Sequence, residues 1–489
     1  MTRRALVFLL GLAVLATPLL LRAPSPAGAP TVAPAGPTSA IVVVVDDMDD
    51  FTCADADLYL PKSSTWLSEQ GRCFEDATTA SPVCCPARAM LMTGQLPHNN
   101  GVRRQNEASR LVGTDTVQHD LSEAGVATYG TGKFLNGLDT ASLTTGEFDS
   151  GFASTDFWNH YDYLTYDLID DDGHRYTPSD QMHTTVRTGM NLRQFVSEQA
   201  EEGGPFYAYG AFLAPHEQTG RGEAKLPQPT AANAGRAVPP FAFRPEKDTR
   251  DKLLPFRGRL DHELPYYRAK QATRVRALYD VDDQVAALFR VLEAEDLLDT
   301  TAVIFTSDNG YALGENGWEG KAVPYPSSVN VPLLAYLPPG VGKPGRDTRP
   351  VDLVDIAPTL YDVFDVTPGH VVDGHSLLGD HVRTRGRVLE FANERSALVL
   401  RESGHSPFRV PTWAMLRIGD RALVQYYRAG RVMAREYYED PGMQRNLLWS
   451  ELTRDQKPSW KQVRDMVRAL KAMRTCAGTT EQGSPHPCP

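Results

Sequence analysis

The sequence is poor in several features that would have pointed to other classes of protein. Its 489 residues include only six cysteines, too few for a disulfide-dense scaffold, and none form a Cys-x-x-Cys pair. No run of lysine or arginine is longer than a pair, and 50 basic residues stand against 61 acidic ones, for a formal net charge of −11. An acidic chain without a basic run is a poor partner for phosphates, so we expect no nucleic-acid partner. Beyond the N-terminus, no stretch is long and apolar enough to span a bilayer.

The first 37 residues have the composition of a targeting segment. Arg3 and Arg4 precede an apolar run over residues 5–21, and a stretch rich in Pro and Ala follows over residues 22–37. This pattern predicts a secretory signal with a flexible spacer, or a membrane anchor if the segment stays uncleaved. We therefore expect a protein that is secreted or held at the cell envelope. Two disulfides can form in that oxidising compartment, Cys53 with Cys73 and Cys476 with Cys488.

Three short runs of β-branched, aromatic and small residues predict strands that are buried in a sheet. They cover residues 40–45, 206–213 and 301–306, and each ends at polar residues or at Pro-His. Residues 274–295 keep apolar side chains at three- and four-residue spacing, which predicts an amphipathic helix. Strands that alternate with helices predict an α/β fold, with a large, mostly parallel sheet between helices and functional groups at the strand ends.

From residue 387 onward the chain changes character. Residues 387–391, 413–417 and 422–427 have short strand patterns without helices between them, and residues 460–473 fit a closing helix. The long aperiodic segment 217–262 predicts an active-site rim or disorder. We expect four parts: signal or anchor with spacer (1–37), catalytic domain (38–385), C-terminal α+β subdomain with an antiparallel sheet (386–475) and tail (476–489).

Four polar side chains follow two of the predicted strands. Asp46 and Asp47 come directly after the first strand, and Asp308 and Asn309 come soon after the strand at 301–306. Their hard oxygens suit Ca²⁺, with Mg²⁺ as the other candidate, whereas zinc would favour His or Cys. The competing interpretation is that both pairs form turns or cap helices. Their occurrence together with the next motif favours a metal site.

A motif with two adjacent cysteines lies at residues 82–94. Cys84 stands two residues before Pro86, at the start of an apolar amphipathic segment. It is therefore a candidate nucleophile at a helix N-terminus, where the helix dipole stabilises an anion. Arg88 lies one turn along and reaches back over the same site. The competing interpretation is a buried structural pair formed by Cys84 and Cys85.

The spacing Cys84-x-Pro-Ala-Arg88, followed by Thr93-Gly94, resembles the signature of type I sulfatases of the alkaline-phosphatase-like superfamily. In that family a maturation enzyme oxidises the cysteine to Cα-formylglycine. The double cysteine and the Gly-Lys-Phe-Leu-Asn string at 132–136 are most similar to the N-acetylglucosamine-6-sulfatase-like branch. Further landmarks of the family, over roughly residues 40–450, are residues 125–136, Ala214-Pro215-His216, Ser307-Asp308-Asn309-Gly310, Lys321, 352–359 and 436–441.

The resemblance implies a fold with a large mixed sheet and a small C-terminal antiparallel sheet. It also implies a role for each motif. The hydrated formylglycine would attack sulfur once the metal and Arg88 had lowered the pKa of one hydroxyl. Lys133 and Lys321 would neutralise the sulfate oxygens, and His216 or Lys321 would protonate the departing alcohol. A maturation enzyme and a sulfated small molecule or glycan are the expected partners. The implied ligands of the ion, expected to be Ca²⁺, are Asp46, Asp47, Asp308, Asn309 and the residue made from Cys84.

One position departs from the family pattern. Many sulfatases have a histidine two residues after the lysine that corresponds to Lys133, and here that position is Leu135. Asn136 can hydrogen-bond the hydrated aldehyde and is a substrate-binding candidate, but it cannot act as a base. His98 is the second substrate-binding candidate, with a structural histidine as the competing interpretation. Cys85 is expected to be a buried packing thiol.

The leading hypothesis is a secreted sulfatase that hydrolyses the sulfate ester of a sulfated sugar or glycosaminoglycan-type substrate. A second enzymatic hypothesis is a phosphonate monoester or phosphodiester hydrolase, because the same nucleophile and metal can serve phosphoryl transfer. A hypothesis of another class is an inactive carbohydrate-binding relative. The intact cysteine motif, lysines and metal motifs argue against this last hypothesis.

Overall fold

The structure is a computed structural model that describes most of the chain. The predicted signal or anchor over residues 1–37 lies outside the described residues, as do parts of the predicted rim at 217–262. Within the described part, none of the helices has both the length and the apolar character needed to cross a bilayer. The described residues are 38–48, 51–136, 148–154, 162–170, 174–220, 223–241, 249–253, 262–393 and 410–488.

The elements of the described residues alternate between strands and helices up to residue 364 and then give way to strands. The strands are β1 (Ser39–Val45), β2 (Arg72–Thr78), β3 (Ala127–Lys133), β4 (Ser150–Ser154), β5 (Leu168–Ile169), β6 (Arg175–Tyr176), β7 (Phe206–Ala211), β8 (Gln218–Gly220), β9 (Glu223–Lys225), β10 (Thr301–Ser307), β11 (Ala312–Leu313), β12 (Glu319–Gly320), β13 (Leu333–Tyr336), β14 (Gly345–Asp352), β15 (Arg387–Phe391), β16 (Thr412–Ile418), β17 (Arg421–Arg428) and β18 (Arg431–Tyr438). The helices are α1 (Ala56–Tyr59), α2 (Cys84–Thr93), α3 (Pro97–Asn100), α4 (Val117–Glu123), α5 (Thr184–Glu202), α6 (Leu264–Ala294), α7 (Pro326–Val329), α8 (Ile356–Phe364) and α9 (Trp460–Met473).

A large mixed sheet forms the centre of the described fold. Its strand order is β14-β2-β13-β10-β1-β7-β3-β4-β5-β6. Strand β1 pairs in parallel with β10 on one side and with β7 on the other. Antiparallel pairs lie toward the edges, where β13 joins β10 to β2 and β5 joins β4 to β6. The prediction of a mostly parallel sheet in an α/β fold is confirmed.

Successive residues of β1 pack into two different cores. Val42 and Val44 point into a core that includes apolar side chains of α2, α4 and α8. Val43 and Val45 point into a second core with side chains of α5 and α6 on the opposite face. A strand covered on both faces needs apolar residues at every position, which explains its uninterrupted β-branched sequence.

The smaller sheet lies at the C-terminal end of the described residues and is antiparallel throughout, in the order β15-β16-β17-β18. Helix α9 packs its Met466 and Leu470 into the same core as Leu423 of β17. The small antiparallel sheet and its closing helix are thus confirmed. Both expected disulfides are formed, Cys53–Cys73 and Cys476–Cys488.

One helix extends well beyond its predicted bounds. Helix α6 begins at Leu264, ten residues before the predicted start. Its additional turns bury polar side chains, Lys270 and Gln271, as well as Tyr267. Apolar periodicity misses such turns, because polar side chains such as Lys270, which pairs with Glu319 and Glu217, face the core there.

Candidate active site

The carboxyl ends of β1 and β10 bring the four metal-ligand candidates together. Val45 lies opposite Ser307 in the parallel register, so the residues that follow the two strands are neighbours. The backbone N–H of Asp47 donates to Oδ1 of Asp308 at 3.2 Å, and Nδ2 of Asn309 donates to Oδ1 of Asp47 at 2.5 Å. Asp46, Asp47, Asp308 and Asn309 are all buried.

The backbone at Asp47 is held in a conformation that L residues rarely adopt. Its φ is 64°, in the left-handed region, which costs free energy for a residue with a side chain. Arg274 of α6 donates from Nη2 to the Asp47 carbonyl and from Nη1 to the Pro215 carbonyl at 3.1 Å. Arg274 is fully buried and thereby joins the loop of Asp47 to the loop of His216.

Cys84 is the first residue of α2 and has no exposed surface. Its Sγ lies 3.5 Å from Oδ1 of Asp46, and Nζ of Lys321 lies 2.8 Å from the same sulfur. Burial, together with the carboxylate of Asp46, raises the pKa of the Cys84 thiol to about 12, so it is protonated at neutral pH. The sulfur stands in for the oxygens that oxidation to formylglycine would place on the same side-chain carbon.

Arg88 lies one turn along α2 and is fully buried among oxygen atoms. Its Nε donates to Oδ2 of Asp308 at 2.9 Å, and its Nη2 lies 3.4 Å from Oδ2 of Asp46. Its Nη1 donates to the Lys133 carbonyl at 2.8 Å and to the Tyr209 hydroxyl at 3.4 Å. This one guanidinium therefore connects α2 with the ends of β1, β3 and β10.

Two lysines complete the positive side of the site. Lys133, the last residue of β3, forms an ion pair with Asp46, and Nζ of Lys321 lies 2.6 Å from Oδ1 of Asp47. Burial alone would lower the pKa of each ammonium group, but the carboxylates raise both pKa values above their ordinary range. Both lysines are therefore protonated at neutral pH. The residue after Lys321, Ala322, has φ 72° and donates its N–H to Pro82 at 3.2 Å, which ties this loop to the cysteine motif.

His216 brings an imidazole ring to the same carboxylates. Its Nε2 lies 3.5 Å from Oδ2 of Asp47, and its Nδ1 lies 2.5 Å from the Glu217 carbonyl. Burial lowers the pKa of His216, and the carboxylates of Asp46 and Asp47 offset this only in part. The ring is therefore neutral near pH 7, with its Nδ1–H directed at a carbonyl oxygen.

The structure separates the two substrate-binding candidates. Asn136 lies three residues beyond Lys133, is buried, and has an Nδ2 without a hydrogen-bond partner among the described residues. His98 lies beyond the other end of α2, with Nδ1 2.7 Å from Glu390 and Nε2 3.2 Å from the Cys476 carbonyl. Both described contacts of its ring are thus with the C-terminal part of the chain, and the structure does not bring His98 to Cys84.

The residues around Cys84 fit a hard divalent cation. One ligand atom each from Asp46, Asp47, Cys84 and His216 lie within 4.8 Å of one another. The buried Oδ1 of Asn309 has no hydrogen-bond partner among the described residues, as expected of a ligand atom. Burial, and to a lesser extent the negative charge of Asp46, raise the pKa of Asp308; a bound cation would offset both effects.

Sequence reasoning missed a second group of side chains, which contacts residues next to His216 and Lys321 in the chain. Nζ of Lys270 lies 2.6 Å from Glu319 and 2.8 Å from the Tyr311 hydroxyl, and it also pairs with Glu217. Glu217 adjoins His216, and Glu319 precedes Lys321 by two residues. Arg274 was missed as well, although it stands at helical spacing from the apolar residues of α6, a position where a charge is unexpected.

A family model described as Sulfatase matches residues 39–366, about two thirds of the chain. The chain belongs to the sulfatase family. The match covers the elements that position Cys84, both acidic pairs and both lysines. It ends close to the end of α8, before the small C-terminal sheet begins.

Curated relatives and solved structures agree with this assignment. The chain is 27% identical over 364 residues to the extracellular sulfatase SULF-1 homolog of Drosophila melanogaster, covering 69% of this chain and 31% of that protein. It is 26% identical over 369 residues to human N-acetylglucosamine-6-sulfatase, covering 69% of this chain and 63% of that one. The chain thus spans less than half the length of the extracellular sulfatase relatives that it matches.

The fold is shared with a protein solved in complex with its substrate D-glucosamine-2-N,6-O-disulfate. The two structures superpose with a TM-score of 0.69 at 19% identity, covering 89% of this chain and 98% of the other. The predicted alkaline-phosphatase-like architecture of the sulfatases is therefore confirmed.

Proposed function

We propose that this protein is an exported sulfatase that hydrolyses the sulfate ester of a sulfated sugar, and that residue 84 acts as formylglycine. The observation that carries the proposal is the convergence of Cys84, three buried or nearly buried cations and four buried metal-ligand candidates on one point of the sheet. Such a site is built for an anion that accumulates further negative charge during reaction.

Oxidation of Cys84 would supply a hydrated aldehyde, with one hydroxyl to attack sulfur and a second to release sulfate afterwards. A maturation enzyme for this oxidation is the partner implied by the motif. The unmodified thiol is a poor substitute here, because burial holds its pKa near 12. Position 84 at the first turn of α2 also places the reacting atoms at the positive end of the helix dipole.

The cations have distinct tasks in this proposal. Lys321, whose Nζ is 2.8 Å from Sγ of Cys84, neutralises an oxygen of the transferring sulfate group. Lys133 does the same from the end of β3, and Asn136 donates its unpaired Nδ2–H to the bound group. Arg88 holds Asp46 and Asp308 in place and stabilises the ionised nucleophile.

His216 moves protons in this scheme. Its ring is neutral near pH 7, so Nε2 can accept the proton that the attacking hydroxyl loses; because burial lowers the pKa of His216, the imidazolium then gives this proton to the departing alcohol. Lys321 is the other candidate for this step, but its raised pKa makes it the weaker acid. Leu135 occupies the position where many sulfatases have a histidine and is buried in the main core, so it contributes no base. We therefore assign the proton transfer to His216.

The ion in this proposal is Ca²⁺. Asp46, Asp47, Asp308 and Asn309 would hold it, together with the residue made from Cys84. When bound, it would supply a Lewis acid that lowers the pKa of the nucleophilic hydroxyl. Carboxylate and amide oxygens favour Ca²⁺ or Mg²⁺ over softer metals.

The substrate class is inferred from the site and from relatives together. Relatives are named extracellular sulfatases and N-acetylglucosamine-6-sulfatase, and one structural neighbour carries a disulfated glucosamine as its substrate. A sulfated saccharide outside the cell fits these names and the secretory composition of residues 1–37.

Turnover by matched cysteine variants tests the proposal. Cys84→Ala is expected to abolish hydrolysis of aryl sulfates and sulfated monosaccharides, whereas Cys85→Ala, which removes the neighbouring buried thiol, retains most of it. Thermal unfolding of both variants checks that the fold persists. Turnover retained in Cys84→Ala would contradict the nucleophile assignment. Faster turnover of phosphonate monoesters or phosphodiesters than of sulfate esters by the wild type would instead favour the phosphohydrolase hypothesis.

A further inference from the structure

A basic groove lies between α3, the small antiparallel sheet and α9. We call it the C-terminal groove, and its volume is about 630 Å³. Four cationic side chains line it, and among the described residues that line it none is acidic. The four are Arg103, Arg435, Lys471 and Arg474. This local excess of positive charge stands out in a chain with a formal net charge of −11.

Two of these cations have no partner that would account for them. Arg435 and Lys471 are exposed, and the side chain of neither forms an ion pair or hydrogen bond with another residue in the described part of the chain. Arg474, in contrast, donates from Nε to Glu390 at 2.8 Å and lies over the ring of Tyr427, 4.7 Å from its centroid. Arg103 also pairs with Glu390, at 3.9 Å, so the groove offers two guanidiniums that share one carboxylate and two unpaired charges.

A buried amide points to a ligand independently of these charges. Gln425 of β17 lines the groove, is 6% exposed, and has an Nε2 with no hydrogen-bond partner among the described residues. Its Oε1 accepts a hydrogen bond from the Tyr427 hydroxyl at 2.9 Å, and it lies directly opposite Arg435 in the β17–β18 register. A buried donor without an acceptor is unfavourable unless a ligand satisfies it.

The groove is separate from the site around Cys84. Cys84 is the first residue of α2, whereas His98, which lines the groove, follows the last turn of that helix. Ten residues of α-helix span about 15 Å. An anion in the groove is therefore not the sulfate group that reacts at Cys84.

We propose that the C-terminal groove binds a sulfated saccharide unit, as a second contact for an oligosaccharide whose other end is processed at Cys84. The identity of the oligosaccharide rests on the proposed function. The arginines and the lysine recognise sulfate oxygens, and Nε2 of Gln425 donates to the same group or to a sugar hydroxyl. Long nucleic acids are disfavoured by the net charge of the chain.

The test compares two double variants that change the net charge equally. Arg435→Gln/Lys471→Gln removes the unpaired cations, and Lys461→Gln/Arg468→Gln removes two exposed cations of α9, with side chains 79% and 68% exposed, that pair with Asp465 instead. Binding of a sulfated heparin-type hexasaccharide is measured by calorimetry in the Cys84→Ala background, so that the probe is not consumed. The same titration is made with the desulfated, N-acetylated hexasaccharide and with inorganic sulfate.

We expect the groove variant to raise Kd about tenfold and the α9 control to raise it less than twofold. We expect the desulfated hexasaccharide and inorganic sulfate each to bind at least about tenfold more weakly than the sulfated probe. An unchanged Kd in the groove variant, an equal loss in the control, or equally tight binding of either comparison ligand would overturn the proposal.

Kinetic measurements on protein that retains Cys84 separate this inference from the proposed function. The groove variant is expected to raise KM for the hexasaccharide while kcat and the hydrolysis of a small aryl sulfate stay unchanged. If both substrates are hydrolysed and the kinetics do not depend on Arg435 and Lys471, the groove proposal is refuted and the proposed function stands. Binding that depends on these two residues in a protein that hydrolyses no sulfate ester would support the groove and refute the proposed function.

Discussion

Replacement of Lys321 tests how the site stabilises charge. Its Nζ lies 2.8 Å from Sγ of Cys84 and 2.6 Å from Asp47, and its side chain is 16% exposed. Two unit charges about 3 Å apart attract by about 5 kcal/mol at an effective dielectric constant of about 20. Only the part of this attraction that grows in the transition state accelerates the reaction, so we expect Lys321→Met to cost about 3 kcal/mol, or about 10²-fold in kcat/KM.

The assay is kcat/KM for an aryl sulfate, measured with Lys321→Met, Lys321→Arg and Lys343→Met. Lys343 is an exposed lysine elsewhere on the chain, so its variant is the matched control and is expected to keep wild-type turnover. Lys321→Arg keeps the charge and is expected to recover part of the rate. Lys321→Met removes a cation from the buried carboxylate of Asp47, so the unfolding temperature is expected to fall, and rates are compared at a temperature where all variants are folded. A loss smaller than about tenfold in folded Lys321→Met would refute the assigned role.

Three further predictions follow from individual contacts. His216→Gln is expected to slow alkyl sulfates more than aryl sulfates, because poorer leaving groups need the proton more; equal losses in kcat for both classes would contradict the acid role. Arg274→Met is expected to lower the free energy of unfolding by about 2–4 kcal/mol in urea titration, since two buried carbonyls lose a charged donor; a change below about 0.5 kcal/mol would show that it does not hold the loops. His98 and Arg474 outweigh burial and hold the pKa of Glu390 at about 2 against an ordinary 4.5, so this carboxylate stabilises the fold above pH 4.5 and loses that effect as pH falls toward 2. Glu390→Gln is accordingly expected to cost about 3 kcal/mol at pH 7 and to flatten the fall in unfolding free energy between pH 4.5 and 2, and an unchanged pH profile would refute the ion pair.

Local patterns predicted the centre of the fold because β-branched residues dominate there. The patterns for β1 and β10 fell one residue short at one end of each strand, and the helix at 460–473 was predicted with its observed bounds. Strand β18 was not predicted, since in its exposed half the residues Arg431, Val432, Met433 and Ala434 do not alternate between polar and apolar. The early turns of α6 were missed for the related reason that Lys270 occupies a core-facing position.

The parts of the candidate site that consist of short sequence motifs could be predicted. The parts that depend on contacts between residues far apart in the chain could not. Asp46 and Asp308 follow strands that sequence identifies, so their proximity follows from a parallel sheet. The partners of His98 are 292 and 378 residues away along the chain, at Glu390 and Cys476, and no local pattern encodes them. Arg274 likewise acts on backbone carbonyls, which have no sequence signature.

The most direct test of the central claim is the mass of the peptide that contains Cys84. We expect digestion of the protein, produced in its native host, to give a peptide about 18 Da lighter than the all-cysteine sequence, with fragment ions that place the change at residue 84. Cys85 in the same peptide serves as the internal control and is expected to keep the mass of a cysteine. A peptide with two unmodified cysteines in protein that hydrolyses sulfate esters would contradict the formylglycine mechanism.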